Sequence, residues 1–199
     1  MRNESCTRLL RMALALCPIF VGGCGDDPSG ASTELDGVET RGAAGGLEGR
    51  TVYLRRDSTR CGSPPSNPLV AVTGTGVEFP SDQTRQLESP CGEAPSPGIE
   101  VSVDGASLIF DFSNVDQADA FPSAEFEGYE LSFARRCGDP VLAAISLDAE
   151  QSTFGITEVE VSHHYDSVRV DFEQLAYDHA SFLKVDLELV DVDCAGTSP

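Results

Sequence analysis

The chain has 199 residues, with 33 acidic side chains against 13 basic ones, a formal charge of −20 and a pI near 4.2. A field of that sign repels a phosphate backbone and argues against nucleic acid as a partner. A hydrophobic fraction of 40% and a mean hydropathy of −0.13 point away from a disordered or membrane-embedded chain, and the length is sufficient for one hydrophobic core.

The N-terminus carries Arg2, Arg8 and Arg11, then the apolar run "MALALCPIFV". Ten residues of helix rise about 15 Å, half the hydrocarbon thickness of a bilayer. A basic segment followed by a short apolar one is the layout of a secretory signal, and Pro18 disfavours a buried helix in its place. The run ends in "FVGGCGDD". Val21-Gly22-Gly23-Cys24 resembles the lipobox of bacterial lipoproteins, in which small residues precede an obligatory cysteine. That resemblance implies a signal peptide over 1–23, cleavage after Gly23, and a membrane anchor of acyl chains on Cys24. Two or three chains give the stable attachment that one cannot. Gly25 follows the cysteine where an aspartate marks inner-membrane retention in Gram-negative lipoproteins, so the same resemblance favours the outer membrane, on its periplasmic face or at the cell surface.

The assignment also resolves the cysteine count, seven in all. Cys6 and Cys17 leave with the signal and Cys24 takes the lipid, so Cys61, Cys91, Cys137 and Cys194 remain. In an exported protein four cysteines read as two disulfides, with three connectivities available. Cys61–Cys91 with Cys137–Cys194 is the favoured one. The first closes a Pro-rich loop, and the second ties the C-terminal strand back to the body. From 24 to 49 the sequence is rich in Gly, Ala, Ser and acids, the composition of a flexible acidic tether. Its r.m.s. span is roughly 27 Å by the flexible-chain rule.

From residue 50 the apolar period becomes two. "TVYLR" and "LVAVTG" are short candidate strands. "IEVSV" and "SLIFDF" alternate on either side of Asp104-Gly105, a hairpin signal. "GYELSF" supplies Tyr129, Leu131 and Phe133. In "DPVLAAISLDAE", Asp139-Pro140 could open a helix, while alternation of Val141, Ala143, Ile145 and Leu147 favours a strand. A second hairpin joins "ITEVEVS" to "SVRVDF", and "FLKVDLEL" ends the series. Eight or nine short strands and no convincing helix predict an all-β fold over 50–199, an antiparallel β-sandwich of Ig-like or jelly-roll type. Most acids, among them Glu100, Glu130, Glu160 and Asp186, fall on the outward phase. They would keep an anchored sandwich soluble and discourage edge pairing.

Two clusters bear on chemistry. "DFSNVDQAD" offers Asp111, Asn114, Asp116 and Asp119 in a loop after a strand, three or four oxygens of the six to eight that calcium takes, although the spacing is not that of an EF-hand. The competing reading is a solvated turn. "SHHYDS" and His179 hold all the histidines. His163 or His164 with Asp166 and His179 could be drawn as a zinc site, but neighbouring strand residues face opposite ways, and exposed turn histidines are the simpler reading. There is no G-x-S-x-G, no H-E-x-x-H and no tryptophan for sugar stacking. Tyr53 and Tyr129 belong to strand patterns, leaving Tyr165 and Tyr177 as surface rings.

The sequence therefore predicts a lipid-anchored envelope lipoprotein and not an enzyme. Its expected role is binding, adhesion or scaffolding, with an envelope protein or a glycan as partner and no cofactor. A calcium-dependent, carbohydrate-type binding module is the first alternative. The second is a surface hydrolase with a carboxylate pair.

Overall fold

A computed structural model describes residues 46–88, 91–92, 96–154 and 159–192. The signal segment, Cys24, most of the tether and Cys194 lie outside the described residues.

Alternating sequence becomes alternating burial. Strand β1 (Thr51–Ser58) pairs antiparallel with β2 (Leu69–Val72). A four-residue helix, α1 (Ser81–Thr84), then precedes the hairpin of β3 (Glu100–Asp104) and β4 (Ser107–Asp111). The hairpin turns through Gly105 and Ala106. Gly105 has φ +60°, the conformation that the first central position of a II′ turn requires and that glycine adopts without strain. The chain continues through β5 (Asp119–Ala120), β6 (Glu127–Phe133), β7 (Val141–Leu147), β8 (Glu160–His164), β9 (Ser167–Asp171), β10 (Ala176–Tyr177) and β11 (Phe182–Val190).

All pairings are antiparallel. A five-stranded sheet runs β2-β1-β6-β9-β8 and a four-stranded sheet β3-β4-β11-β7, with β5 and β10 forming a two-stranded ribbon. The two larger sheets pack face to face as a β-sandwich. Its core takes Val52, Leu54, Leu131 and Val170 from one sheet and Val101, Leu108, Phe110, Leu183 and Val185 from the other. The sheets also meet at their edges. Leu142 N–H of β7 donates to Tyr165 O (3.0 Å) in the turn after β8, and Phe79, in the chain leaving β2, bridges to Val101 of β3.

Three local readings change. Leu47 falls in a stretch whose composition reads as tether, yet it is 1% exposed, and its N–H donates to Gly105 O (3.0 Å); one leucine with a cavity to fill outweighs its Gly-rich surroundings. In β7 the alternation slips. A bulge opposite Glu188 and Leu189 skips Ala143, so Leu142 is buried and Ala143 exposed. A single extra residue inverts the phase on one side of a bulge. Tyr177 is half-buried rather than a surface ring, 5.5 Å from the ring of Phe112 and 5.0 Å from that of Phe121.

The Cys61–Cys91 disulfide is present as expected, with Cα atoms 5.5 Å apart. Cys137 is also disulfide-bonded, while Cys194, its expected partner, lies outside the described residues. Among the described residues no helix is long and apolar enough to cross a membrane.

Candidate functional site

At one end of the sandwich the inward phase stops being apolar. On β1 the inward positions run Val52, Leu54, Arg56, Ser58, and on β6 Phe133, Leu131, Tyr129, Glu127. Arg56 is 3% exposed and Glu127 1%. The guanidinium donates to one carboxylate oxygen twice, from Nε (3.1 Å) and Nη2 (2.7 Å), both to Glu127 Oε1. Its third nitrogen, Nη1, is buried and meets no acceptor in the protein. Beside the pair, Tyr129 OH and Ser96 Oγ are 2.8 Å apart. Burial pushes the Tyr129 phenol above its ordinary pKa, partly offset by the charge of Arg56.

A cleft of about 390 Å³ reaches Arg56 from outside. Its apolar wall includes Pro97, Phe121, Pro122 and Tyr177, and its rim Arg85, Asp116, Gln117 and Asp119. Glu127 does not line it. Arg85, which ends α1, is clamped across the rim: Nη1 and Nη2 donate to the two oxygens of Asp116 (2.9 and 3.2 Å), and Nη2 also donates to Asn114 O (2.8 Å). Gly98 gives Arg85 room, since a Cβ there would stand 2.1 Å from its Nε. Thr84 Oγ1 donates to Ile99 O (2.6 Å), fastening α1 to the segment that carries Ser96 and Pro97. Tyr177 is held by Phe112 and Phe121, which both stack or edge onto Phe172. Burial, and next the charge of Asp119, push its phenol up to about 12.

The residues singled out from sequence divide between this cleft and open surface. Asp116 and Asp119 line the cleft. Asp111 Oδ1 instead accepts the N–H of Ser113 (2.8 Å), and Asn114 Nδ2 donates to Glu100 Oε1 (2.8 Å). Arg85 engages both oxygens of Asp116, so a calcium ion would have to displace a guanidinium. Among the described residues no group of three or more His, Cys, Asp or Glu is placed to hold a metal ion. His163, His164 and His179 are exposed; His163 Nε2 is 3.2 Å from Ala143 O across the β7–β8 edge.

Arg56 and Glu127 were not among the sequence candidates. Their signal is present all the same, because carrying the alternation of "TVYLR" and "GYELSF" one step further puts opposite charges on the inward phase. Comparison with protein-family models, with curated proteins and with solved structures finds no match to this chain.

Proposed function

We propose that this chain is an exported, lipid-anchored binding protein of the cell envelope. Its sandwich is carried on an acidic tether from Cys24 and takes a small ligand in the cleft at the Arg56 end. The observation that supports a binding role most directly is that cleft. Rings and prolines wall it, polar groups edge it, and its lining includes Arg56, a buried arginine held from behind by Glu127. An apolar enclosure with a few fixed polar groups is the general make-up of a ligand site. The Cys61–Cys91 disulfide supports export, because such bonds persist in oxidising compartments.

A non-enzymatic role fits the way the charged groups are used. Of the two carboxylates that line the cleft, Arg85 holds Asp116 and only Asp119 is left, one short of the pair that glycoside hydrolysis uses. The tether serves presentation, and its acids would keep the sandwich off an anionic headgroup surface.

Two measurements test the reading. Labelling with radioactive palmitate should mark the chain and be lost in Cys24→Ala; a chain that fractionates with the membrane unlabelled would refute the anchor. A small-molecule screen by thermal unfolding of the full chain should find compounds that raise the midpoint. A ligand at a hundred times its Kd adds about 2.7 kcal/mol, and a screen whose only hits bind outside the cleft would refute the site.

A further inference from the structure

We propose that the cleft recognises a neutral polyhydroxylated ligand, a saccharide ring, with one ligand oxygen accepting from Nη1 of Arg56. The inference rests on the binding reading above and names its ligand class without calcium.

Of three buried arginine nitrogens without an acceptor among the described residues, on Arg55, Arg56 and Arg169, the one on Arg56 belongs to a residue that lines the cleft. Arg56 spends Nε and Nη2 on Glu127, and Nη1 donates to nothing in the protein. Arg56 lines the cleft and Glu127 does not, so a ligand in the cleft meets this arginine without having to displace its partner. Nη1 exposes almost no surface, so a ligand oxygen reaches it only as the cleft wall yields, and it then competes with little hydration. A hydrogen bond formed there contributes more than one made at the surface.

Charge then selects the ligand. Four charged residues line the cleft, Arg56, Arg85, Asp116 and Asp119. Both cations are already matched by carboxylates, within a chain of formal charge −20. A carboxylate or phosphate finds no unmatched cation and faces a repulsive field. A purely apolar ligand leaves Nη1 unmet and buries the rim acids. A sugar hydroxyl is both donor and acceptor, so one ring supplies an acceptor to Arg56 and donors to Asp116 and Asp119, and lays its C–H face on Tyr177 and the prolines. Tyrosine here supplies the amphipathic surface expected of tryptophan in many sugar sites.

The test titrates the full, isotopically labelled chain with methyl glycosides of glucose, galactose, mannose and N-acetylglucosamine. Glucuronate and glucosamine provide an anionic and a cationic ring, and cyclohexane, carrying no hydroxyl, provides the apolar fragment. At least one glycoside should shift the backbone resonances of Gly98, Gln117 and Ala120 with saturation, in calcium or in chelator alike, and glucuronate should not. Two variants carry the assignment to residues. Arg56→Met with Glu127→Leu removes the pair without leaving an unmatched charge, and the exposed rim variant Asp119→Ala leaves the buried pair intact. Each should weaken glycoside binding, the first about ten- to a hundred-fold. Unchanged affinity in the double variant overturns the role of Arg56. If glucuronate, glucosamine or an apolar fragment shifts these resonances while no glycoside does, the ligand class is wrong and the binding reading stands. If no compound of any class shifts them, both fall.

Discussion

Strands β1 and β6 carry two Arg–Glu pairs on opposite faces of one sheet. Arg55 and Glu130 stand on the outer face, where Arg55 Nη2 donates to Glu130 Oε2 (2.7 Å) and Arg169 of β9 approaches the same oxygen at 3.8 Å. Arg56 and Glu127 stand inside, with the same 2.7 Å closest contact. Geometry hardly separates the pairs, but solvent does. The outer arginine side chain is 39% exposed and the inner one 3%. A surface pair gains little because water screens it, whereas a buried pair has lost its hydration and depends on its partner. The outer pair is thus ordinary sheet decoration. The inner pair occupies a place where an apolar couple would pack without that loss, which is why the role proposed for it is recognition rather than stabilisation.

Breaking the inner pair should give the largest effect. Glu127→Ala leaves a buried guanidinium unmatched, and urea unfolding should show a loss of about 3–5 kcal/mol. Arg56→Met with Glu127→Leu should restore most of it, and a double variant as unstable as the single one would mean that the pair holds the fold together. Next comes the staple beside it. Ser58 Oγ, two residues past Arg56, is 3.8 Å from Cys91 Sγ, and five residues after Cys91 the chain supplies Ser96 to Tyr129. Cys61→Ser with Cys91→Ser releases a loop of sequence separation 30, a cost of about 2–4 kcal/mol in chain-entropy terms. The same variant should deprotect the amide of Ile99, which donates to Pro97 O (2.9 Å) in that segment, in hydrogen exchange. Protection that survives would detach the disulfide from the cleft.

The outer pair should respond weakly. Glu130→Ala removes the acceptor of Arg55 and the neighbour of Arg169, and the expected loss is about 0.5–1 kcal/mol, shrinking in high salt. A salt-insensitive loss of several kcal/mol would erase the distinction between the two faces.

How far the sequence discloses this arrangement depends on the residue. The hairpins at Gly105 and at Tyr165-Asp166 follow from period-two runs on either side of a short turn, because local chemistry sets both the strands and the connection. Most acids stand outward as the alternation predicts, since one face of each strand meets water. The phase of β7 was not legible, because the bulge at Ala143 is imposed by pairing with β11. Leu47 was hidden by composition, which averages over neighbours that do not pack. The inner pair could have been found by extending two strand patterns by one residue. The cleft itself could not, since it gathers α1, the segment before β3, and the β5–β10 ribbon, and only tertiary structure brings these together.

The state of the cleft can be read from Tyr177. Burial, and then the negative charge of Asp119, favour its neutral phenol and push it up from 10.0 to about 12. The absorbance difference between the parent chain and Tyr177→Phe should therefore titrate with a midpoint near pH 12. Linkage fixes the sign of the effect on folding. With the folded pKa above the unfolded one, the contribution of Tyr177 is complete below pH 10 and is lost as pH rises towards about 12, where unfolded chains ionise first. Half-exposure keeps that loss small. Asp119→Asn should lower the midpoint without abolishing the shift, since burial is the larger cause. A midpoint near 10 would mean that water reaches the cleft wall freely. The inner pair would then be better solvated than its burial implies, and the contrast between the two faces of the sheet would narrow from the inside.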